Sequence, residues 1–433
     1  MKSSYVKVWI ILSLFWGSLS YGQQEIILSR QEAEALFLDQ NLDLLAEKLE
    51  IPKAEAAVLQ AKLWPNPTFS VDEVNFWALP GQIEPLGEEL PPLFGNFGKH
   101  FQFSFGLEQL IQTAGKRKKL MAVEQVTADK AYGYLEDLLR NLKIEFRNLL
   151  TELQFLQFQD RIYQDQIDEI QELTSAFQRQ VDLGHISRSE LVRLRALELQ
   201  FAKYGQEIRK EINETQKELK ILMRLSSDSH LVISDEDYLV DPSQIRELNL
   251  SELLESARES RPDLKLASLD EKYYERLFDY EKAQRTPDIN LKVGYDRGGG
   301  ILYNFIGFGV DIELPLFNKN QGNIEAARIG VVQSQFKYDH KMETIENELV
   351  LAYRNLLEAL DFYESIDMEY ETALEEVLSG YIRSFQDRNI SLLEFIDFIE
   401  AYIENKEIIL EAGKDLHFKA EELNYSLGMD VIK

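Results

Sequence analysis

Cysteine is absent from the 433 residues, which excludes a disulfide framework and any thiolate metal site. Histidine is scarce: His100, His185, His230, His340 and His417 are scattered, and no H-E-x-x-H spacing occurs that would hold a zinc ion. Basic charge is also in deficit. The formal net charge is −28, whereas phosphate binding wants clustered Lys and Arg. The one basic run, Gly115 to Lys119 (GKRKK), is too short to reverse that balance, so nucleic acid is excluded as a partner. Beyond the N-terminus no apolar run reaches the roughly 18 residues that a transmembrane helix requires. One membrane structure stays open, because a β-barrel spans with alternating segments of about 10 residues that hydropathy windows overlook.

Chemistry is as thinly represented as histidine. The stretch TAGKRKK from Thr113 echoes a phosphate-binding loop, but it lacks the first Gly and the Ser or Thr after Lys. Carboxylates are abundant, yet they are spread along helix faces with no paired setting of the glycosidase kind. No catalytic residue, resident metal or cofactor is assigned, and the chain is not read as an enzyme.

What is present begins at the N-terminus. Lys2 and Lys7 precede the apolar run Val8 to Trp16, and Ser20, Tyr21 and Gly22 give a small-x-small cleavage site. This is the pattern of a secretory signal peptide over residues 1–22. Removing its two lysines takes the formal charge from −28 to −30. A secreted chain of this size with no disulfide must be held by burial or by assembly.

Four segments alternate with a period of two. Phe101, Phe103, Phe105 and Leu107 oppose Gln102, Ser104, Gly106 and Glu108. Ile289, Leu291, Val293 and Tyr295 oppose Asn290, Lys292 and Gly294. Ile306, Phe308, Val310, Ile312 and Leu314 oppose Gly307, Gly309, Asp311 and Glu313. The remaining one, from Pro67, keeps the pattern only through Phe69 and Val71 before slipping. Alternation alone does not separate a membrane barrel from a soluble sandwich.

Between the strands lie long helices. From Tyr134 to Leu183 there is neither Gly nor Pro, and Leu135, Leu138, Leu142, Phe146, Leu149, Leu153 and Leu156 recur at steps of three and four. That heptad seam continues through Tyr163, Ile167, Ile170, Phe177 and Val181. The helix beginning near Gly115 thus runs for about 65 residues, or about 100 Å at 1.5 Å per residue. It stops where Gly184 supplies a left-handed cap, and Ser187 with Glu190 forms a capping box for the return helix.

The same order then recurs. Asn41 to Val71 aligns with Arg261 onward, placing Asp43 on Asp263, Leu44 on Leu264, Pro67 on Pro287 and Val71 on Leu291 without a gap. The duplication predicts a first repeat over residues 23–235: a helix, a β-hairpin at about 67–111, a long helix at about 115–182 and a return helix at about 187–225. A second repeat over 236–433 has its hairpin at about 287–316, its long helix at about 322–386 and its return helix at about 390–428. Four strands cannot close a barrel, and an open sheet edge cannot face lipid. Three copies would give twelve strands and a closed ring.

The repeat order, with LWPNPTFS from Leu63, LPLFNKNQGNIEAAR from Leu314, LGHISRSELVRLRALE from Leu183 and RNISLLEFIDFIEAY from Arg388, resembles the TolC-like outer-membrane factors. It is most similar to their heavy-metal efflux branch of the CzcC type. The resemblance covers nearly all of the mature chain. It implies a mostly α fold with a small membrane β part: a homotrimer whose 12-stranded β-barrel in outer-membrane lipid continues as a long α-helical periplasmic barrel. It also implies a passive duct, docked through a periplasmic adaptor (membrane fusion) protein to an inner-membrane pump of the resistance-nodulation-division type. The turns then become the periplasmic tip that meets the adaptor: Val181, Asp182, Leu183, Gly184 and Ser187 in the first repeat, Asp387, Arg388, Asn389 and Ser391 in the second. In VDLG the Leu183-Gly184 order is the reverse of the family's Gly-Leu. Glu394 and Asp397 fall where the family carries acidic gate residues, and in a threefold ring they would set six carboxylates around the lumen. Arg193, the repeat-one counterpart of Asp397, is a candidate partner. Two other readings remain: an exit duct for drugs or secreted proteins, and a secreted coiled-coil scaffold with soluble β-domains.

Overall fold

The computed structural model describes residues 25–77, 97–98, 101–234, 240–298, 304–366 and 368–432; the signal peptide read at residues 1–22 lies outside them. The chain packs as two units, Met1–Gln40 with Glu152–Tyr238, and Asn41–Thr151 with Leu239–Lys433. Packing thus divides the chain differently from the duplication, because the long first helix contributes its first part to one unit and the rest to the other.

The first unit contains β1 (Glu25–Leu28), α1 (Arg30–Gln40), the second part of α3 (Lys116–Asp182), α4 (Arg188–Met223) and β4 (His230–Ile233). The heptad positions Leu153, Leu156, Tyr163, Ile167, Ile170 and Phe177 are buried, as are Leu191, Leu194, Leu197 and Phe201 on α4. The sequence reading did not foresee the two short strands. They pair in parallel from Glu25↔His230 to Leu28↔Ile233. The Gln216 amide serves β4 from the side, donating to the Leu231 carbonyl at 2.9 Å and accepting from its N–H at 3.2 Å. A buried strand edge would otherwise leave those two groups unpaired.

The second unit holds the helices α2 (Leu42–Lys62), α5 (Pro242–Arg246), α6 (Leu250–Ser260), α7 (Pro262–Gln284), α8 (Gln321–Ser365), α9 (Met368–Gln386) and α10 (Leu392–Leu427). Its strands are β2 (Thr68–Asn75), β3 (Gln102–Ile111), β5 (Ile289–Arg297) and β6 (Phe305–Ile312). Its core joins Leu253 and Ala257 of α6, Leu264 of α7, Ile345, Leu349, Leu356 and Leu360 of α8, and Leu416, Leu423 and Leu427 of α10. The three- and four-residue steps along α8 are the ones an amphipathic helix needs to keep a single stripe facing the core.

The expected single helix over about 322–386 is two helices: α8 ends at Ser365, with Ile366 extended, and α9 begins at Met368. Ser365 Oγ donates to the Phe362 carbonyl at 2.6 Å, a local bond that competes with the helical ladder. The strand expected through Leu314 ends at Ile312. Pro315, which cannot donate to a ladder, sits instead in the connection to α8, where Leu316 N bonds Leu314 O at 2.8 Å.

Beside that core lies a cluster of buried charges. The Arg261 side chain, 2% exposed, donates twice to Asp263, Nε to Oδ1 at 2.9 Å and Nη2 to Oδ2 at 2.7 Å. It also donates to the Ser426 carbonyl at 2.9 Å and to Glu348 at 3.0 Å. Arg140 and Lys341 each stand 3.5 Å from Asp263. Burial by itself raises the Asp263 pKa. The Arg261 hydrogen bonds and the charges of Arg140, Arg261 and Lys341 outweigh it and hold the pKa down at about 2.

Candidate functional site

The four-stranded sheet is antiparallel in the order β2-β3-β5-β6. Its register sorts the side chains. Leu107 pairs with Phe69, and Val293 with both Leu107 and Phe308; Phe105 stands against Val71 and Tyr295, and Tyr295 against Ile306. Side chains paired across neighbouring strands share a face, so Phe69, Val71, Phe103, Phe105, Leu107, Leu291, Val293, Tyr295, Ile306, Phe308 and Val310 form one apolar surface. Phe308, on the outer strand β6, is 85% exposed.

The other face is mainly polar: Thr68, Ser70, Ser104, Glu108, Asn290, Lys292, Asp296 and Asp311 share it with Gly106, Gly294, Gly307 and Gly309, and with Leu110 and Phe305 toward its two ends. Across three strands Lys292 bridges Glu108, at 3.0 Å, and Asp311, while Asn290 donates to Glu108 at 3.1 Å. Among the described residues both outer strands, β2 and β6, have no neighbour on their far side. The slip in the first alternating segment is a real irregularity: the β2 register shifts between Asp72 and Asn75, and Glu73 takes φ 54°. One extra residue there reverses the alternation, as a bulge does.

The strand ends that lead into helices are all on one side, and there the basic run has a structural role. The buried Lys116 Nζ lies 2.8 Å from Asp288 Oδ1, which also accepts from Thr113 N at 2.8 Å. Thr113 Oγ1 donates to the Pro287 carbonyl at 2.6 Å. Arg117 stacks over Trp64 at 3.9 Å and donates to Lys62 O. These bonds fasten the end of one hairpin to the start of the other. Sequence reasoning saw the lysines only as a weak phosphate-loop echo, because their partner lies about 170 residues further along.

Each helical hairpin ends in an exposed turn. In the first unit, His185 N bonds Gln180 O at 2.9 Å and Gly184 N bonds Val181 O at 2.9 Å, with Gly184 at φ 76°; this is a Schellman cap. Val181 is half-buried, and Asp182, Leu183, Gly184 and Ser187 are exposed. Ser187 accepts from Glu190 N, but its hydroxyl, not its backbone N–H, meets the Glu190 carboxylate. The capping box expected here is therefore half formed: the Ser187 side chain caps Glu190 N, and the reciprocal bond to the Ser187 N–H is not made.

In the second unit the turn is built identically with a different residue. Asn389 N bonds Ser384 O at 2.8 Å, Arg388 N bonds Phe385 O at 3.0 Å, and Arg388 takes φ 63° where the first hairpin has glycine. A left-handed conformation strains any residue with a Cβ by about 1–2 kcal/mol. Arg388→Gly therefore raises the thermal midpoint by the equivalent of about 1 kcal/mol, with part of the relief lost to the flexibility of glycine in the unfolded chain. An unmoved midpoint contradicts the strain. Asp387, Arg388, Asn389 and Ser391 are exposed. Two ring stacks hold the hairpin behind them, Phe385 on Phe395 at 4.4 Å and Tyr381 on Phe398 at 3.9 Å.

Glu394 and Asp397, both exposed on α10, differ in a way their spacing concealed. Here the capping box is complete: Glu394 Oε2 accepts from Ser391 N and Oγ, both at 2.8 Å. The Ser391 backbone N–H, and then its hydroxyl, hold the Glu394 carboxyl below the usual range. Asp397, one turn on, has no hydrogen-bond or ion-pair partner among the described residues. Arg193 is exposed on α4 of the other unit. Among the described residues no group of three or more His, Asp or Glu side chains could hold a metal ion, and no helix is long and apolar enough to cross a membrane.

Comparison with known proteins places this geometry. No family model matches the chain. The cobalt-zinc-cadmium resistance protein CzcC of Cupriavidus metallidurans is 21% identical over 379 residues, 86% of this chain and 83% of that one. Among solved structures, CusC, studied for the conformational changes that accompany folding and transmembrane channel formation, superposes with a TM-score of 0.70 at 18% identity, covering 92% of each chain. The Campylobacter jejuni CmeC outer membrane channel gives 0.71 at 14% identity, over 92% of this chain and 85% of that one.

Proposed function

The chain has the TolC-like fold of the outer-membrane efflux channels and is similar to CzcC along most of its length, and from that premise we propose that it is the outer-membrane duct of a tripartite efflux system. It resides in the outer membrane of a Gram-negative bacterium and conducts; it is not an enzyme. The observation that carries this reading is the sheet: one face mainly apolar, the other mainly polar, and both outer strands without a partner on their far side among the described residues. In lipid such edges must be closed. Three copies supply twelve strands, the apolar face turned to the bilayer and the Lys292 ladder to the lumen. Exposed leucines on α2 (Leu42, Leu45, Leu49, Leu59) and apolar residues on α8 (Ile329, Val332, Phe336) sit at heptad steps suited to packing neighbouring copies in the same ring.

The adaptor meets the turns Val181 to Ser187 and Asp387 to Ser391. Each hairpin end offers one prominent apolar side chain, Leu183 in the first turn and Leu393 two residues past the second, both 66% exposed. The pump that the adaptor connects is of the resistance-nodulation-division type. The exported substrates are heavy-metal cations, in keeping with the −28 net charge and with the name of CzcC. A strain lacking the chain should lose tolerance to cobalt, zinc or cadmium while keeping its tolerance to drugs and detergents. The opposite pattern returns the substrate to the drug or protein class, and recovery of the chain without detergent from a soluble fraction would sink the duct altogether.

Gating rests on Asp397, whose carboxylate has no partner among the described residues, with Glu394 pinned beside it as a cap. Replacing Glu394 and Asp397 together by alanine is expected to raise single-channel conductance in a planar bilayer and to weaken cation preference. Asp397→Ala alone should reproduce most of the change. Unaltered conductance and selectivity in both would remove the gate.

A further inference from the structure

Among the described residues the apolar face of the sheet carries one cation. Arg297, the last residue of β5, is paired with Phe103 and therefore lies on that face. It is at the hairpin end, away from the strand ends that lead into helices. Its guanidinium lies 4.2 Å over the Phe101 ring and 5.9 Å from that of Phe103. The two rings stack with centroids 5.4 Å apart and continue through Phe105, 4.8 Å from Phe103, to Phe69 and Tyr295. Trp77 and Phe76 both contact Phe97 at the same end.

Arg297 has no ion-pair partner among the described residues. Of the acids nearby in the strands, Asp296 projects to the opposite face by alternation, and Glu73 accepts from Gln102. Stacking leaves the N–H edge of a guanidinium available for bidentate donation, which a lysine could not reproduce. A lone exposed cation at the aromatic edge of a lipid-facing wall is complementary to a phosphate at headgroup depth.

We propose that Arg297, seated on Phe101 and Phe103, is a binding site for the phosphate of a phosphorylated membrane lipid at the outer rim of the barrel. The inference rests on the membrane-duct reading of the sheet. Its role is to anchor the rim at a fixed depth: the rings meet the acyl boundary and the guanidinium the headgroup.

The test uses the full-length detergent-purified assembly and a diphosphorylated lipid A, its dephosphorylated form and inorganic phosphate as probes. Binding is read by native mass spectrometry and by the shift of the thermal midpoint. The phosphorylated lipid should bind and raise the midpoint, while the dephosphorylated form and free phosphate should do neither. Arg297→Gln should weaken that binding about tenfold, the loss expected of a charge-assisted pair, and Arg297→Lys should restore part of it. Undiminished lipid binding by Arg297→Gln overturns the site, as does an equal response to free phosphate or to the dephosphorylated lipid. The parent reading fails separately, if the unsubstituted chain fractionates away from the outer membrane; Arg297→Gln itself should still reach it.

Discussion

Replacing Arg261 by leucine destabilises the second unit by about 3–5 kcal/mol, because the change strands Asp263 in a site from which water is largely excluded. The Asp263 side chain is 11% exposed and loses both guanidinium bonds, and the Ser426 carbonyl loses its donor. Arg140 and Lys341, at 3.5 Å, compensate only in part. The double variant Arg261→Leu/Asp263→Leu should recover a substantial share of the loss, since it removes the buried charge along with its partner. Arg258→Ala, which breaks an exposed pair with Glu346, should cost within about 1 kcal/mol. Thermal midpoints of the purified assembly measure all three. If Arg261→Leu matches Arg258→Ala, the buried cluster is not a stabilising element.

The same cluster sets an acid limit. The folded Asp263 pKa, about 2, lies below its ordinary 3.8, so the stabilisation is complete above about pH 4 and is lost as pH falls toward 2. The difference amounts to about 2 kcal/mol. In Asp263→Asn that part of the acid sensitivity disappears, and the variant is less stable throughout the neutral range.

Phe308→Arg abolishes the assembled form in the outer membrane. Phe308 is near the middle of β6, on the apolar face, and is 85% exposed in the single chain. An arginine at the bilayer midplane of a barrel costs about 2–4 kcal/mol, and threefold assembly would incur that cost three times. Ser104→Arg, on the polar face near the start of β3, places the same charge on the side that faces the lumen in the proposed barrel and should leave assembly intact. Quantitative outer-membrane fractionation, with the heat-modifiable higher-mass band on gels, separates the two. Normal assembly of Phe308→Arg would mean that this face does not meet lipid.

The architecture was legible because period and spacing report local geometry directly. Alternation at Phe103 to Leu107 and Ile306 to Ile312 named the strands and their apolar faces, and the seam from Leu153 to Phe177 named a buried helix stripe. Even the slip after Val71 was visible, as a broken alternation. The parallel strands at Glu25 and His230 could have been found from their β-branched apolar runs, but four residues give too little periodicity to separate a strand from a loop. The break at Ile366 has no proline or glycine beside it to announce it.

The site shows the same boundary. The sequence by itself determined which residues can occupy a turn and which can share a strand face, since both follow from bonds reaching no further than a few residues along the chain. Only the tertiary structure decided that Lys116 belongs to Asp288, that Arg261 is buried against Glu348 and the Ser426 carbonyl, and that Arg297 rests on Phe101 and Phe103. Hydrogen bonds and ring contacts act over 3 to 6 Å in space, and distance along the chain does not predict which groups will come that close.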